Sequence, residues 1–65
     1  MAEQKIFAGP RIRRLRMERS LTQTAMAEGL GISPSYLNLI ERNQRPITVQ
    51  LILKLASVYR IDPHS

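Results

Sequence analysis

The chain has 65 residues, 43% of them hydrophobic and 23% charged, with a net charge of +5, one histidine and no cysteine. A chain this short makes one domain with a thin core, because domains of this size bury only about 60% of the surface their unfolded chain exposes. The composition excludes disulfides and thiolate metal sites, argues against a disordered chain, and contains no apolar run near the roughly 20 residues of a membrane span.

Residues 1–9 read as an N-terminal arm. Met1 to Ala8 lacks the long apolar stretch of a secretory signal, which together with the absence of thiols points to a reducing cytoplasm. Ile6 and Phe7 are expected to fold back on the core, and Gly9-Pro10 punctuates the start of a helix. That first helix is expected from about Pro10 to Arg19. Ile12 and Leu15 face inward with Arg16 or Arg19, while Arg11, Arg13 and Arg14 face out. Arg14 and Glu18 are four apart, a spacing that allows a pair of little energetic value. Five of the ten cationic residues fall between Arg11 and Arg19. Such density predicts an anionic partner, nucleic acid before a membrane surface, with a solvated helix face as the bland alternative.

The second helix is expected over about Gln23 to Gly29, with Ala25, Met26 and Leu30 on its buried side. Leu21 precedes a Thr22 N-cap and Met26 stands at the fourth helical position, the spacing of a hydrophobic staple. The same device recurs as Ile32-Ser33-Leu37 and as Ile47-Thr48-Ile52. Three helices that begin alike argue for a compact all-α unit. Gly29-Leu30-Gly31 ends the second helix, since glycine takes the left-handed conformation that turns a chain after a helix. Two short helices across so tight a turn form the helix-turn-helix pattern, with an ordinary helical hairpin as the alternative.

The stretch Ser33 to Arg45 organises the rest. Ser33 is an N-cap and Pro34 falls at the first helical position, where its missing N–H costs nothing. Leu37, Ile40 and Glu41 share one face of a helix over about 34–41. Ser35, Asn38, Leu39 and Arg42 point elsewhere, next to a polar loop of Asn43, Gln44 and Arg45. Asparagine is able to read an adenine edge with two hydrogen bonds, and the loop side chains suit phosphates. This reads as a DNA recognition helix with a phosphate-gripping loop.

Beyond Pro46, Thr48 to Tyr59 forms the strongest helix. Val49, Ile52, Leu53 and Ala56 lie on one side, with Leu51, Leu55 and Tyr59 shifted around from it. An arc so wide is expected at the centre of the core. Ile61-Asp62-Pro63 announces a further start, an apolar residue, an N-cap and a proline, and the chain then ends at Ser65. The expected domain is therefore 10–65, with a fifth helix truncated. No carboxylate pair, Gly-rich phosphate loop or metal-ligand cluster is visible, His64 being the sole histidine. An enzyme, a metal and a cofactor are not expected.

Residues 10–62 resemble the helix-turn-helix family of phage-repressor type, also called the xenobiotic-response-element family. The resemblance is carried by Leu15-Arg16, Leu21-Thr22-Gln23, Ala27, Gly31-Ile32-Ser33, Tyr36-Leu37, Ile40-Glu41 and Arg45-Pro46. A narrower resemblance is to the N-terminal domain of bacterial short-chain fatty acyl transcriptional regulators, through Lys5-Ile6-Phe7-Ala8-Gly9, Ser33 to Asn38, and Asn43-Gln44-Arg45-Pro46. It implies a four- to five-helix, lambda-repressor-like bundle that reads operator DNA, as a homodimer on the duplex and weakly associated for this length of chain.

By the same resemblance, Gln23 hydrogen-bonds a phosphate and braces the reading helix, with Thr22 and nearby amides favouring the same anion. Pro34, Ser35, Asn38 and Leu39 enter the major groove, and Ser33 caps that helix at the DNA. Pro34 has no donor and Leu39 offers only apolar contact, so base readout rests on Ser35 and Asn38, supplemented by DNA shape. Tyr36 meets phosphate or sugar. Arg42, Asn43, Gln44 and Arg45 grip the backbone, aided by Arg11 and Arg13. Glu41 pairs internally with Arg16. The competing reading is a protein-interaction or antitoxin-like module that uses an apolar patch of Phe7, Met17 or Leu39.

Overall fold

The computed structural model describes residues 5–60. Among them the fold is all-α: α1 (Gly9–Glu18), α2 (Gln23–Leu30), α3 (Pro34–Glu41) and α4 (Val49–Tyr59). The announced fifth helix, with Ile61, Asp62 and His64, lies outside the described residues.

Three of the four helices start on a local cap. Ala25 N–H donates to Thr22 Oγ1 at 3.0 Å, Tyr36 N–H to Ser33 Oγ at 3.1 Å and Leu51 N–H to Thr48 Oγ1 at 3.1 Å. Each bond satisfies one of the amides that a helix leaves without an internal partner. The residues before these caps, Leu21, Ile32 and Ile47, all pack on the core. Gly31 ends α2 in the left-handed region at φ 74, and the Ile32 N–H then returns to the Ala27 carbonyl at 3.0 Å.

α1 differs. Ala8 supplies no side-chain cap, and the helix begins one residue earlier than expected, at Gly9. The Gly9 N–H donates instead to Asn43 Oδ1 at 2.9 Å, across 34 residues of sequence. Asn43 itself adopts φ 60 and closes α3, with the Gln44 N–H reaching the Leu39 carbonyl at 2.9 Å. One asparagine therefore ends α3 and caps α1.

The core is Ile12, Met26, Ala27, Leu30, Leu37, Ile40, Ile47, Leu51 and Leu55. Met26, Leu37 and Ile40 are its deepest large side chains, so the centre belongs to α2 and α3. Two expectations are corrected here. On α2 it is Ala27, not Ala25, that is buried, because Ala25 sits in the first turn on the solvent side. On α4, Val49 and Leu53 are each 64% exposed, and only Leu51 and Leu55 are buried. The helix packs chiefly along α2, with Ile52 and Tyr59 partly covered beside Leu51 and Leu55, so it flanks the core and does not occupy its centre.

The arm does return to the body. Ile47 N–H donates to the Ile6 carbonyl at 2.8 Å, but Phe7 remains half exposed. Arg19 faces solvent, where its guanidinium lies 5.4 Å from the centre of the Tyr59 ring and ties the ends of α1 and α4. Arg14 and Glu18 are both exposed and form no ion pair among the described residues.

Candidate nucleic-acid interface

α3 is an eight-residue helix with two unlike faces. Leu37, Ile40 and Glu41 are buried. Ser35, Asn38, Leu39 and Arg42 stand at i, i+3, i+4 and i+7, which places them on one outward stripe. Ser35 and Arg42 are exposed, while Asn38 and Leu39 are half-buried at the edge of the packing. Pro34 at the N-terminal end and Gln44 and Arg45 beyond the C-terminal end are exposed as well, and Tyr36 is half-buried against the core.

Beside the buried Leu37 and Ile40, a polar network holds this helix. Arg16 Nε donates to Glu41 Oε2 at 2.7 Å and Arg16 Nη2 to Glu41 Oε1 at 3.1 Å, a two-pronged pair between α1 and α3. Arg16 Nη1 also donates to the Leu21 carbonyl at 3.0 Å, which fixes the turn before α2. The Glu41 side chain is 3% exposed, so its charge depends on these partners in place of water. In return, the Glu41 hydrogen bond, and with it the carboxylate's charge, outweighs the cost of burial and holds Arg16 still more firmly protonated than a free arginine.

Gln23 joins the same network from the first position of α2. Its Nε2 donates to Glu41 Oε1 and to Asn38 Oδ1, both at 3.2 Å. Both of its amide hydrogens are thus directed into the protein, leaving Oε1, an acceptor, which has no use for a phosphate. Thr22 and Ser33 use their hydroxyl oxygens as cap acceptors and each keeps an O–H hydrogen to donate outward. Thr22, Ser33 and the backbone amides at the starts of α2 and α3 therefore add donors to those of Arg13 and Arg42 on this side.

The arginines of α1 divide between two surfaces. Arg13 borders a notch with Arg16, Gln23, Asn38, Glu41 and Arg42, beside the reading stripe. Arg11 lies along an apolar groove between α1 and α4, with Ile6, Leu15, Ile52 and Ala56, and is not brought to the stripe. Arg11 and Arg13 are two positions apart, hence about 200° around a helix. Asn43 also departs from the expected set, since its Oδ1 is taken by Gly9 and only its amide hydrogens remain to face outward. Gly9, punctuation in the sequence, is also a close backbone contact between α1 and the end of α3, beside the Arg16–Glu41 pair. The Gly-Pro pair signals a turn, not a close approach.

A short, buttressed helix with a polar outer stripe, set after a tight turn and followed by a cationic loop, defines a helix-turn-helix domain. The chain belongs to the helix-turn-helix family, whose pattern it matches over residues 12–64. This is a DNA-binding class, and its relatives here are transcriptional regulators.

Among those relatives, the transcriptional regulator PrpR of Mycobacterium tuberculosis is 55% identical over 58 residues, 89% of this chain and 12% of its own length. RamB of the same organism is 48% identical over 58 residues, with the same coverage of 89% and 12%. The propionyl-CoA carboxylase regulator of Cereibacter sphaeroides is 44% identical over 59 residues, 91% of this chain and 13% of its own. The chain spans about an eighth of the length of these relatives. No helix among the described residues is long and apolar enough to cross a membrane.

Proposed function

We propose that this chain reads operator DNA for a bacterial transcriptional regulator, with α3 in the major groove. The observation that carries the reading is the outward stripe of Ser35, Asn38, Leu39 and Arg42 on a helix held from behind by Arg16–Glu41. Ser35 and Asn38 meet base edges, and Leu39 with Pro34 supplies apolar contact, for instance to a thymine methyl. The hydroxyls of Thr22 and Ser33, Tyr36, Arg42, the Asn43 amide, Gln44, Arg45 and Arg13 face phosphates. The first α2 amides contribute through the helix dipole.

The relatives are named as transcriptional regulators, one of them a propionyl-CoA carboxylase regulator, which supports the regulator reading. A cytoplasmic, nucleoid-associated place is part of the same proposal. Two copies on neighbouring half-sites about one turn apart complete the proposal. A second reading, a protein-interaction module, draws on the apolar groove between α1 and α4 and on the exposure of Phe7 and Met17.

An amide NMR titration with a short duplex separates the two. Operator reading predicts shifts at Thr22–Gln23 and Ser33–Arg45 that shrink from low to physiological salt, because phosphate contacts release counterions. Arg45→Ala then weakens all sequences alike and flattens the salt slope, whereas Asn38→Ala blurs preference at one base pair by about 1–3 kcal/mol. Silence at these residues, with movement at α1 or Phe7, overturns the reading in favour of a protein partner.

A further inference from the structure

Asn38 is the one side chain of the reading stripe with its hydrogen bonding already half committed. Its Oδ1 accepts from Gln23 Nε2 at 3.2 Å. Gln23 is not free to turn away, since its other amide hydrogen goes to Glu41 Oε1 at 3.2 Å and Glu41 is clamped by Arg16 on two atoms. A relay of Arg16, Glu41, Gln23 and Asn38 thus runs from α1 through the helix-turn-helix to the reading edge. The carboxamide is planar, with its oxygen and nitrogen on opposite prongs. Turning Oδ1 toward α2 turns Nδ2 away from it, and among the described residues Nδ2 has no protein partner.

We infer that Gln23 is a positioning residue that sets the polarity of Asn38, so that Asn38 reads guanine and not adenine. The inference rests on the operator-reading function proposed above. A free asparagine suits adenine because it accepts from N6–H with Oδ1 while donating to N7 with Nδ2. Asn38 meets the groove with Nδ2 foremost. Guanine presents two acceptors there, N7 and O6, which match a donor group. Adenine presents N7 next to the N6 amino group, which opposes a second donor. Cytosine presents only its N4 amino group, and thymine presents a single acceptor, O4, beside its methyl, so guanine alone offers two adjacent acceptors.

The test is selection from a randomised duplex pool by the wild-type chain, Asn38→Ala, Gln23→Met and the double variant. The position read by Asn38 is the one whose preference Asn38→Ala abolishes. The wild type is expected to favour guanine there by about tenfold over adenine, and 7-deazaguanine at that position is expected to lose most of the advantage. Gln23→Met keeps the length of the side chain and removes both donors. It is expected to move the preference toward adenine at that position alone, while the double variant shows none.

Adenine favoured by the wild type overturns the inference and leaves operator reading intact. So does a Gln23→Met profile that weakens every sequence equally without changing any base. The wild-type comparison of guanine with adenine decides the matter even where Gln23→Met does not fold. A wild type with no base preference at all removes operator reading, and this inference falls with it.

Discussion

A β-carbon at Gly9 would sit 2.5 Å from the Ile40 carbonyl oxygen and 2.6 Å from Asn43 Oδ1. The start of α1 and the end of α3 touch there through backbone, which cannot move aside as a side-chain tip does. Gly9→Ala is expected to cost about 3 kcal/mol, from overpacking together with loss of the Asn43 bond, read as a lower midpoint in denaturant. Glu41 has the converse problem. Its removal leaves Arg16 facing a buried space with the Leu21 carbonyl alone. Glu41→Ala is expected to destabilise by about 3 kcal/mol, a fall of more than about 10 °C in melting temperature for a domain this small. An unchanged melting curve would contradict a structural role for the pair. Because the pair raises the Arg16 value, the arginine's share of the stability is fully present below the ordinary arginine value. It is lost only as pH rises through the raised value, so no loss on its account is expected across the neutral range. The Arg16–Glu41 pair was foreseeable from resemblance, while nothing local to Gly9 hinted that a carbonyl 31 residues on would crowd it.

At the scale of the element, a start signal and a stop signal turn out to differ in how local they are. Thr22, Ser33 and Thr48 each cap their own helix with a hydroxyl three residues before the amide it receives, a reach the backbone geometry alone ensures. α3 accordingly spans the expected 34–41. α1 has no such residue and borrows its cap from Asn43, so it starts one residue before the position its local sequence predicts. The turn of the helix-turn-helix isolates a purely conformational effect. Gly31 has φ 74 and a β-carbon there would meet nothing within 4 Å. Gly31→Ala is expected to cost about 1 kcal/mol from left-handed strain alone, with native contacts and DNA preference unchanged. A loss as large as that of Gly9→Ala would mean that the turn tolerates no adjustment.

For the molecule as a whole, the lesson lies in α4. Its sequence is apolar over a wide arc, yet the structure buries only Leu51 and Leu55 fully, packs Ile52 and Tyr59 partly against the core, and leaves Val49 and Leu53 each 64% exposed. Leu53→Lys is therefore expected to change stability by less than about 0.5 kcal/mol, measured by thermal or denaturant unfolding. A core position would lose several times that on receiving a charge. The arginines of α1 show the same division. Their run reads as one basic patch, but the helix splits it, with Arg13 beside the reading stripe, Arg16 drawn inside and Arg11 on the α1–α4 groove. Only part of the positive charge is thus aligned with the proposed DNA surface.

Approximate helix positions, the caps of α2, α3 and α4, the tight Gly31 turn and the buried face of α3 were legible along the chain, because each depends on residues within about four positions of one another. The reading stripe followed from that same short period. Which arc of α4 is covered, which arginine turns inward, that Ala27 replaces Ala25 in the core, and how Asn38 orients its amide were settled by tertiary contact. These depend on groups 15 to 34 residues apart, as in Gln23 with Asn38 and Gly9 with Asn43. A local pattern shows that a helix has an apolar side, but only the neighbour that displaces its water decides how much of that side is buried.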